Sequence, residues 1–239
     1  MPKPPAVLLP GTGSDEVFVR SVFAGPLHAS GIRTHTPAPP SGSAVTAGSL
    51  TSLDEAAEDG PVLAGGISLG AHLAAEWAVR NPGRCAGLLL ALPAWSGPPS
   101  DAPASLAARA SADLVDEHGL ENALRIATDG VPPWLAAELT RAWRRHGTGL
   151  AASLRAASGH PAPTLDELAS LDIPVGIAAC TDDPVHPVAV AHAWARALPR
   201  AVVRETTLEA LGADRESLGR ATLQSWLQAN ATAPPGPHS

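Results

Sequence analysis

The stretch PVLAGGISLGAHLAAEWAVR, residues 61–80, has the pattern of a buried strand, a tight turn and a helix. PVLAGGI is a continuous apolar run of strand length, and AHLAAEWAVR is a helical segment. Between them, the residues Gly66-Ile67-Ser68-Leu69-Gly70 fit the pattern G-x-S-x-G. In this pattern a strained turn presents a serine hydroxyl at the carboxyl end of a strand. We therefore interpret Ser68 as a candidate nucleophile.

Short apolar runs alternate with Ala-rich helical segments on both sides of this stretch. Such alternation predicts an α/β fold, with a mostly parallel sheet and helices on both of its faces. The predicted strands are Ala6–Leu9, 34–37, Val62–Ile67, 86–92, Val175–Cys180 and 202–207. The predicted core helices are Glu16–Ala29, 53–57, Leu69–Arg80, 188–198 and 215–227.

Residues 101–158 interrupt the alternation, because they contain only helical pattern, divided by Gly and Pro. We expect this segment to be a helical cap inserted between two strands, and we call it the cap. The α/β core then comprises residues 1–100 and 159–228. Residues 229–239 end in NATAPPGPHS, have no apolar period and are predicted to be a disordered tail.

Composition narrows the classes of partner. The chain has 239 residues, of which 16% are charged, and a net charge of -7, so it has no basic surface for nucleic acid. No apolar run reaches the roughly 20 residues that cross a bilayer, and no signal peptide pattern precedes Pro10. We expect a soluble cytoplasmic protein that acts on a small molecule, away from membranes. The sequence leaves the oligomeric state open.

The two cysteines, Cys85 and Cys180, lie in apolar runs, so we expect small core residues and not a disulfide. No cluster of Cys and His has the spacing of metal ligands. The sequence therefore predicts no metal and no cofactor.

Two further stretches complete a resemblance. Residues 6–14, AVLLPGTGS, are a strand followed by a Gly-bearing loop, and residues 181–187, TDDPVHP, follow the apolar run IPVGIAAC. Together with the serine turn, they resemble the α/β-hydrolase superfamily over most of the chain. Because the chain starts directly with the strand at residue 6, we expect it to lack the first two strands that the family usually has.

This resemblance implies roles for particular residues. The backbone N–H groups of Thr12 and Leu69 are expected to form an oxyanion hole for a tetrahedral intermediate. Asp183 is expected to be the acid that orients a histidine, because in the family a Pro four places after the acid opens the next helix. That spacing favours Asp183 over Asp182.

The family's histidine follows the last strand, typically after a Gly, but here Gly212 is followed by Ala213. A serine hydroxyl is a poor nucleophile without a positioned base. Another histidine can replace the missing one, and the resemblance favours His186, because in the superfamily the position three after the acid generally lines the active-site pocket. His160, between the cap and the next helix, ranks second, and His72, one helical turn after Ser68, ranks third.

A relocated base is one of four hypotheses that account for the missing histidine. The site can instead serve a lyase, isomerase or cyclase reaction in a pocket that excludes water. It can be a binding cleft for an apolar ligand. Ala213 can also be an engineered replacement for a catalytic histidine.

The cap is expected to select the substrate. Its apolar candidates are Trp134, Leu135, Leu139, Trp143 and Leu150, and Trp95 is expected near the mouth of the cleft. Such residues suit an apolar acyl or ring substrate, although packing between cap and core is the alternative role.

A basic cluster of Arg141, Arg144, Arg145 and His146 either meets a substrate carboxylate or ends a solvated helix.

The sequence as a whole predicts a serine hydrolase-like enzyme, an esterase, thioesterase or lactonase that acts on a small apolar substrate through Ser68.

Overall fold

The computed structural model describes residues 3–231. Its sheet has six strands in the order β2-β1-β3-β4-β5-β6, and every neighbouring pair is parallel. The strands are β1 Ala6–Leu9, β2 Thr34–His35, β3 Val62–Ile67, β4 Cys85–Ala91, β5 Val175–Cys180 and β6 Ala201–Thr206. The predicted class, a parallel sheet in an α/β fold, is confirmed.

Helices cover both faces of this sheet. They are α1 Glu16–Ala29, α2 Val45–Ala56, α3 Leu69–Arg80, α8 Leu165–Ala169, α9 Val188–Ala197, α10 Leu208–Ala213 and α11 Glu216–Ala231, with a 3₁₀ turn at Gly42–Ala44. Alternate strand residues point to opposite faces. In β1, Val7 and Leu9 join the core beneath α2, α3 and α9, whereas Ala6 and Leu8 join the core beneath α1 and α11.

Five helices lie between β4 and β5, and the first four of them fall where the sequence predicts the cap. These four are α4 Pro103–His118, α5 Leu120–Ala127, α6 Pro133–His146 and α7 Leu150–Gly159, with a 3₁₀ turn at Gly147–Gly149. They share their own apolar cluster, which includes Trp143, Leu150 and Leu154. The chain enters and leaves this segment side by side, because the Ala162 amide donates to the Gly97 carbonyl at 2.9 Å.

The sequence patterns and the structure differ where the contacts are not local. Helix α2 begins eight residues before the predicted 53–57, and α8 and α10 were not predicted. The tail prediction is wrong for residues 229–231, because α11 continues to Ala231 with Ala229 buried. The rest of the predicted tail, 232–239, lies outside the described residues.

Cys85 and Cys180 are buried and unpaired, as predicted. Within residues 3–231, no helix has both the length and the apolar character needed to span a bilayer.

Candidate active site

Ser68 stands at the junction of β3 and α3 in a strained conformation, with φ 55° and ψ -114°. Strain of this kind persists only where neighbouring structure enforces it. The glycines of the motif show how this happens: a Cβ on Gly66 would meet the Leu9 carbonyl oxygen at 2.3 Å, and one on Gly70 would meet it at 2.2 Å. The turn therefore fits only because its flanking residues have no side chains where it presses against the end of β1.

Ser68 and His186 are in hydrogen-bond contact, with 2.9 Å between Ser68 Oγ and His186 Nε2. His186 Nδ1 lies 2.7 Å from Asp183 Oδ2. Because an ionised carboxylate only accepts hydrogen bonds, Nδ1 carries the proton and Nε2 is free to accept from the serine hydroxyl. The structure thus brings the three predicted residues together as a Ser-His-Asp arrangement.

Asp183 is fixed by its own loop. Its Oδ1 accepts hydrogen bonds from the amides of Val185, at 2.8 Å, and His186, at 3.2 Å. Burial alone raises the pKa of Asp183, but the hydrogen bonds and charge of His186, with the two amides, outweigh burial and hold the pKa below its usual range. The carboxylate is therefore ionised at neutral pH.

The neighbouring acid has a different role. Asp182 Oδ1 accepts from the Leu208 amide at 2.6 Å, so Asp182 bonds to the first residue of α10, whose N-cap is Thr207. The choice of Asp183 over Asp182 as the residue that faces a histidine agrees with this geometry.

The other two candidate histidines bond elsewhere. His72 is fully buried, and its Nε2 accepts the Ala94 amide at 2.9 Å. Burial, together with the charges of His186 and His160, lowers the pKa of His72 to about 3. His160 Nε2 lies 2.6 Å from Glu76, whose other oxygen pairs with Arg80.

Two backbone amides border the serine. A Cβ on Gly11 would lie 3.4 Å from Ser68 Cβ, so the loop after β1 runs directly beside Ser68. Thr12 follows in this loop and lines the same cavity as Ser68. Leu69 is the first residue of α3, where a helix has no internal acceptor for its N–H. Among residues 3–231, neither amide donates to a backbone acceptor outside regular helices and strands.

A cavity of about 550 Å³ opens over Ser68 and His186, and its wall is mostly apolar. The cap provides Trp134, Leu135, Leu139 and Trp143, among the residues that the sequence suggested. Leu150 packs inside the cap instead. The prediction for Trp95 is wrong: this ring is buried against His72, with 4.4 Å between ring centroids, because the chain turns inward after β4.

Sequence reasoning missed several residues of this wall. Phe18, Leu92, Val185, Leu208 and Leu211 all line the cavity. Most of them follow the carboxyl end of a strand, which is the signal that could have identified them, since open α/β sheets bind ligands at that edge.

The segment after β6 also corrects the position proposed for the missing histidine. Ala213 is exposed at the end of α10, whereas Leu208 and Leu211 of the same helix face the cavity. Gly212 packs against Trp134, where a Cβ would lie 2.4 Å from the indole nitrogen. Ala213 therefore lies outside the wall of this cavity.

The basic cluster on α6 bonds to protein groups. Arg141 pairs with Asp15 and Glu138, Arg144 pairs with Glu121, and Arg145 pairs with Glu16. Burial alone raises the pKa of Asp15, but its bonds with Arg141 and the Phe18 amide hold the pKa below the usual range. Neither predicted role for the cluster describes Arg141, because it joins the cap to the core.

No family model matches the sequence, and no curated protein matches it. Solved structures are similar to it. MenH from S. aureus has a TM-score of 0.72 and 16% identity, over 95% of this chain and 94% of that chain. A thermophilic esterase from Thermogutta terrifontis has a TM-score of 0.68 and 18% identity, over 95% and 90%. The enol-lactonase from Burkholderia xenovorans LB400 has a TM-score of 0.66 and 16% identity, over 85% and 83%. Because the identities are this low, the structural likeness establishes a shared fold and nothing more.

Proposed function

The chain has the α/β-hydrolase fold, and we propose that it is a serine hydrolase that cleaves small apolar esters, thioesters or lactones. One observation carries the proposal: His186 links Ser68 and Asp183 in a continuous hydrogen-bonded chain. The distance is 2.9 Å between Ser68 Oγ and His186 Nε2, and 2.7 Å between His186 Nδ1 and Asp183 Oδ2. A serine that is bonded to an oriented imidazole is an activated nucleophile. The esterase and the enol-lactonase among the similar structures act on substrates of this class by their names.

In the proposed reaction Ser68 Oγ attacks the substrate carbonyl carbon while His186 Nε2 takes the hydroxyl proton. The carbonyl electron pair moves to oxygen, where the amides of Thr12 and Leu69 stabilise the negative charge. His186 then gives its proton to the leaving alcohol, thiol or ring oxygen as the carbon–oxygen or carbon–sulfur bond breaks. Water, activated by the same histidine, hydrolyses the acyl-serine and restores the site. Asp183 stays ionised and stabilises the imidazolium.

The base in this proposal lies on the same loop as its acid. His186 follows Asp183 by three positions, and the Asp183 carboxylate also accepts the His186 amide. One rigid turn therefore orients both groups, which removes the need for a histidine after β6. The apolar residues Leu208 and Leu211 occupy the cavity wall on that side.

The substrate class follows from the cavity. Its wall is apolar except near the reacting groups and at a few cap positions, which favours an apolar acyl or ring group. We propose that the cap, through Trp134 and Trp143, encloses this group above Ser68. The volume of about 550 Å³ is within the range of small-molecule sites.

Labelling with a fluorophosphonate tests the proposal. The wild type should be labelled at Ser68, and Ser68→Ala should not be labelled. His186→Ala should react on the order of 10²- to 10⁴-fold more slowly, since it loses the general base. His160→Ala is the matched control: it removes a histidine that bonds to Glu76, and it should react at the wild-type rate.

Two outcomes contradict the proposal in different ways. Labelling that is indifferent to His186→Ala would rule out His186 as the base. A wild type that is not labelled, and does not hydrolyse p-nitrophenyl esters, would favour a non-hydrolytic reaction or a binding cleft.

A further inference from the structure

The cap helix α6 contacts three consecutive residues that follow Thr12 in the oxyanion loop, residues 11–15. A Cβ on Gly13 would lie 3.2 Å from Trp143 Nε1, so the Gly13 backbone packs on that ring. The His146 ring, with 2.9 Å between its Nε2 and the Ser14 carbonyl oxygen, donates to Ser14. Asp15, the next residue, pairs with Arg141. Side chains of α6 therefore contact Gly13, Ser14 and Asp15 in turn.

The Asp15–Arg141 pair is the most specific of these contacts. Arg141 Nε and Nη2 each lie 2.8 Å from a different oxygen of Asp15, a two-bond arrangement that fixes orientation as well as distance. Asp15 is fully buried. Its Oδ1 also accepts the Phe18 amide at 3.0 Å, so the same carboxylate caps α1. Asp15 thus joins the loop, the core helix and the cap.

The other end of the loop is fixed by the nucleophile turn. Gly11 lies against the Ser68 turn, and the Ser14 amide donates to the Gly11 carbonyl at 3.1 Å, which closes a turn around Thr12. The Thr12 amide is therefore held between the serine on one side and the α6 contacts on the other.

We propose that Arg141 is a positioning residue for the oxyanion hole, which it sets by holding Asp15 and hence the Thr12 amide in place. This inference rests on the proposed hydrolase function. The cap then completes the catalytic site, in addition to enclosing the substrate. Stabilisation by an oxyanion donor depends on its location in advance of the reaction, and a displacement of about 1 Å can reduce a rate about 100-fold.

Steady-state kinetics on p-nitrophenyl esters test this inference in the full chain. Arg141→Met should lower kcat about 10- to 100-fold, while KM stays close to the wild-type value. This decrease in kcat is no larger than the decrease that follows removal of a whole oxyanion donor. A trifluoromethyl ketone, which mimics the tetrahedral intermediate, should bind more weakly by the same factor. Arg144→Met is the matched control: it lies on the same helix, makes an equivalent two-bond pair with Glu121 inside the cap, and should keep the wild-type kcat.

Two more variants separate positioning from stability. Asp15→Asn keeps a helix-capping oxygen but loses the charged pair, so it should lower kcat like Arg141→Met. The double variant Asp15→Asn/Arg141→Met removes the unpaired buried carboxylate and should recover thermal stability without recovering kcat. The positioning role would be overturned if the double variant recovered kcat together with stability. It would also be overturned if Arg141→Met had the same kcat as Arg144→Met. Absence of any Ser68-dependent turnover in the wild type would instead overturn the hydrolase proposal on which it rests.

Discussion

His72 should make the stability of this protein depend on pH, and removing it should remove that dependence. The ring is fully buried between Trp95 and Trp194, and it is neutral, because Nε2 accepts the Ala94 amide. Burial and the neighbouring charges of His186 and His160 lower its pKa to about 3. An imidazole in an unfolded chain has a pKa of about 6.5.

The sign follows from proton uptake. Between pH 6.5 and 3 the unfolded chain carries a proton on His72 that the folded chain does not carry, so unfolding takes up a proton and stability falls as pH falls. The slope approaches about 1.4 kcal/mol per pH unit. Integrated from pH 7 to pH 4 with a folded pKa of about 3, the contribution of His72 decreases by about 3 kcal/mol.

Urea unfolding at a series of pH values measures this effect in the wild type and in His72→Gln. Glutamine cannot take up a proton in this range, and its amide oxygen can replace Nε2 as the acceptor for Ala94. Other groups titrate in both proteins, so their effects cancel in the difference between the two curves. The variant is expected to lose about 3 kcal/mol less than the wild type between pH 7 and pH 4.

Parallel curves for the two proteins would refute the reasoning. Such a result would mean that His72 is protonated in the folded protein at pH 4, and so is neither dry nor held as an acceptor by Ala94. A variant that loses more stability than the wild type between pH 7 and pH 4 would contradict the sign.

Three other substitutions test separate parts of the site. Gly70→Ala should cost at least about 2 kcal/mol in urea unfolding, because its Cβ meets the Leu9 carbonyl; a neutral effect would contradict the close contact. Asp182→Ala should lower stability by about 1 kcal/mol through loss of the hydrogen bond to the Leu208 amide and leave fluorophosphonate labelling intact, so a loss of labelling would mean that Asp182 takes part in the chemistry. Ala213→His should leave ester hydrolysis unchanged, since the side chain is exposed, and a large gain would contradict the position of α10.

Local sequence patterns were sufficient for the elements that depend on near neighbours. The bounds of β1, β3, β5, α1 and α3 were predicted without error, because each is a continuous apolar run or a helical pattern bounded by turn residues. Helices α8 and α10 have five and six residues, too few for an apolar period to identify them. Their position depends on packing against other elements.

Contacts between side chains that are far apart in the sequence could be identified only from the tertiary structure. Ser68 and His186 are 118 positions apart, and Arg141 and Asp15 are 126 apart. The resemblance to a superfamily could rank His186 first, but it could not give the direction of the ring. It also misplaced Trp95, because direction after a strand end depends on what the neighbouring elements leave open.

The sequence by itself determined the parallel α/β sheet and the serine turn with its obligatory glycines. Both are dictated by steric limits and apolar patterns within a few residues, whereas the choice of Asp183 depended on the resemblance to a superfamily. Only the tertiary structure decided that His186 contacts Ser68, that Leu211 and not Ala213 faces the cavity, and that the cap bonds to the oxyanion loop. Those relations depend on the carboxyl ends of separate strands meeting at one edge of the sheet, with the cap folded across them.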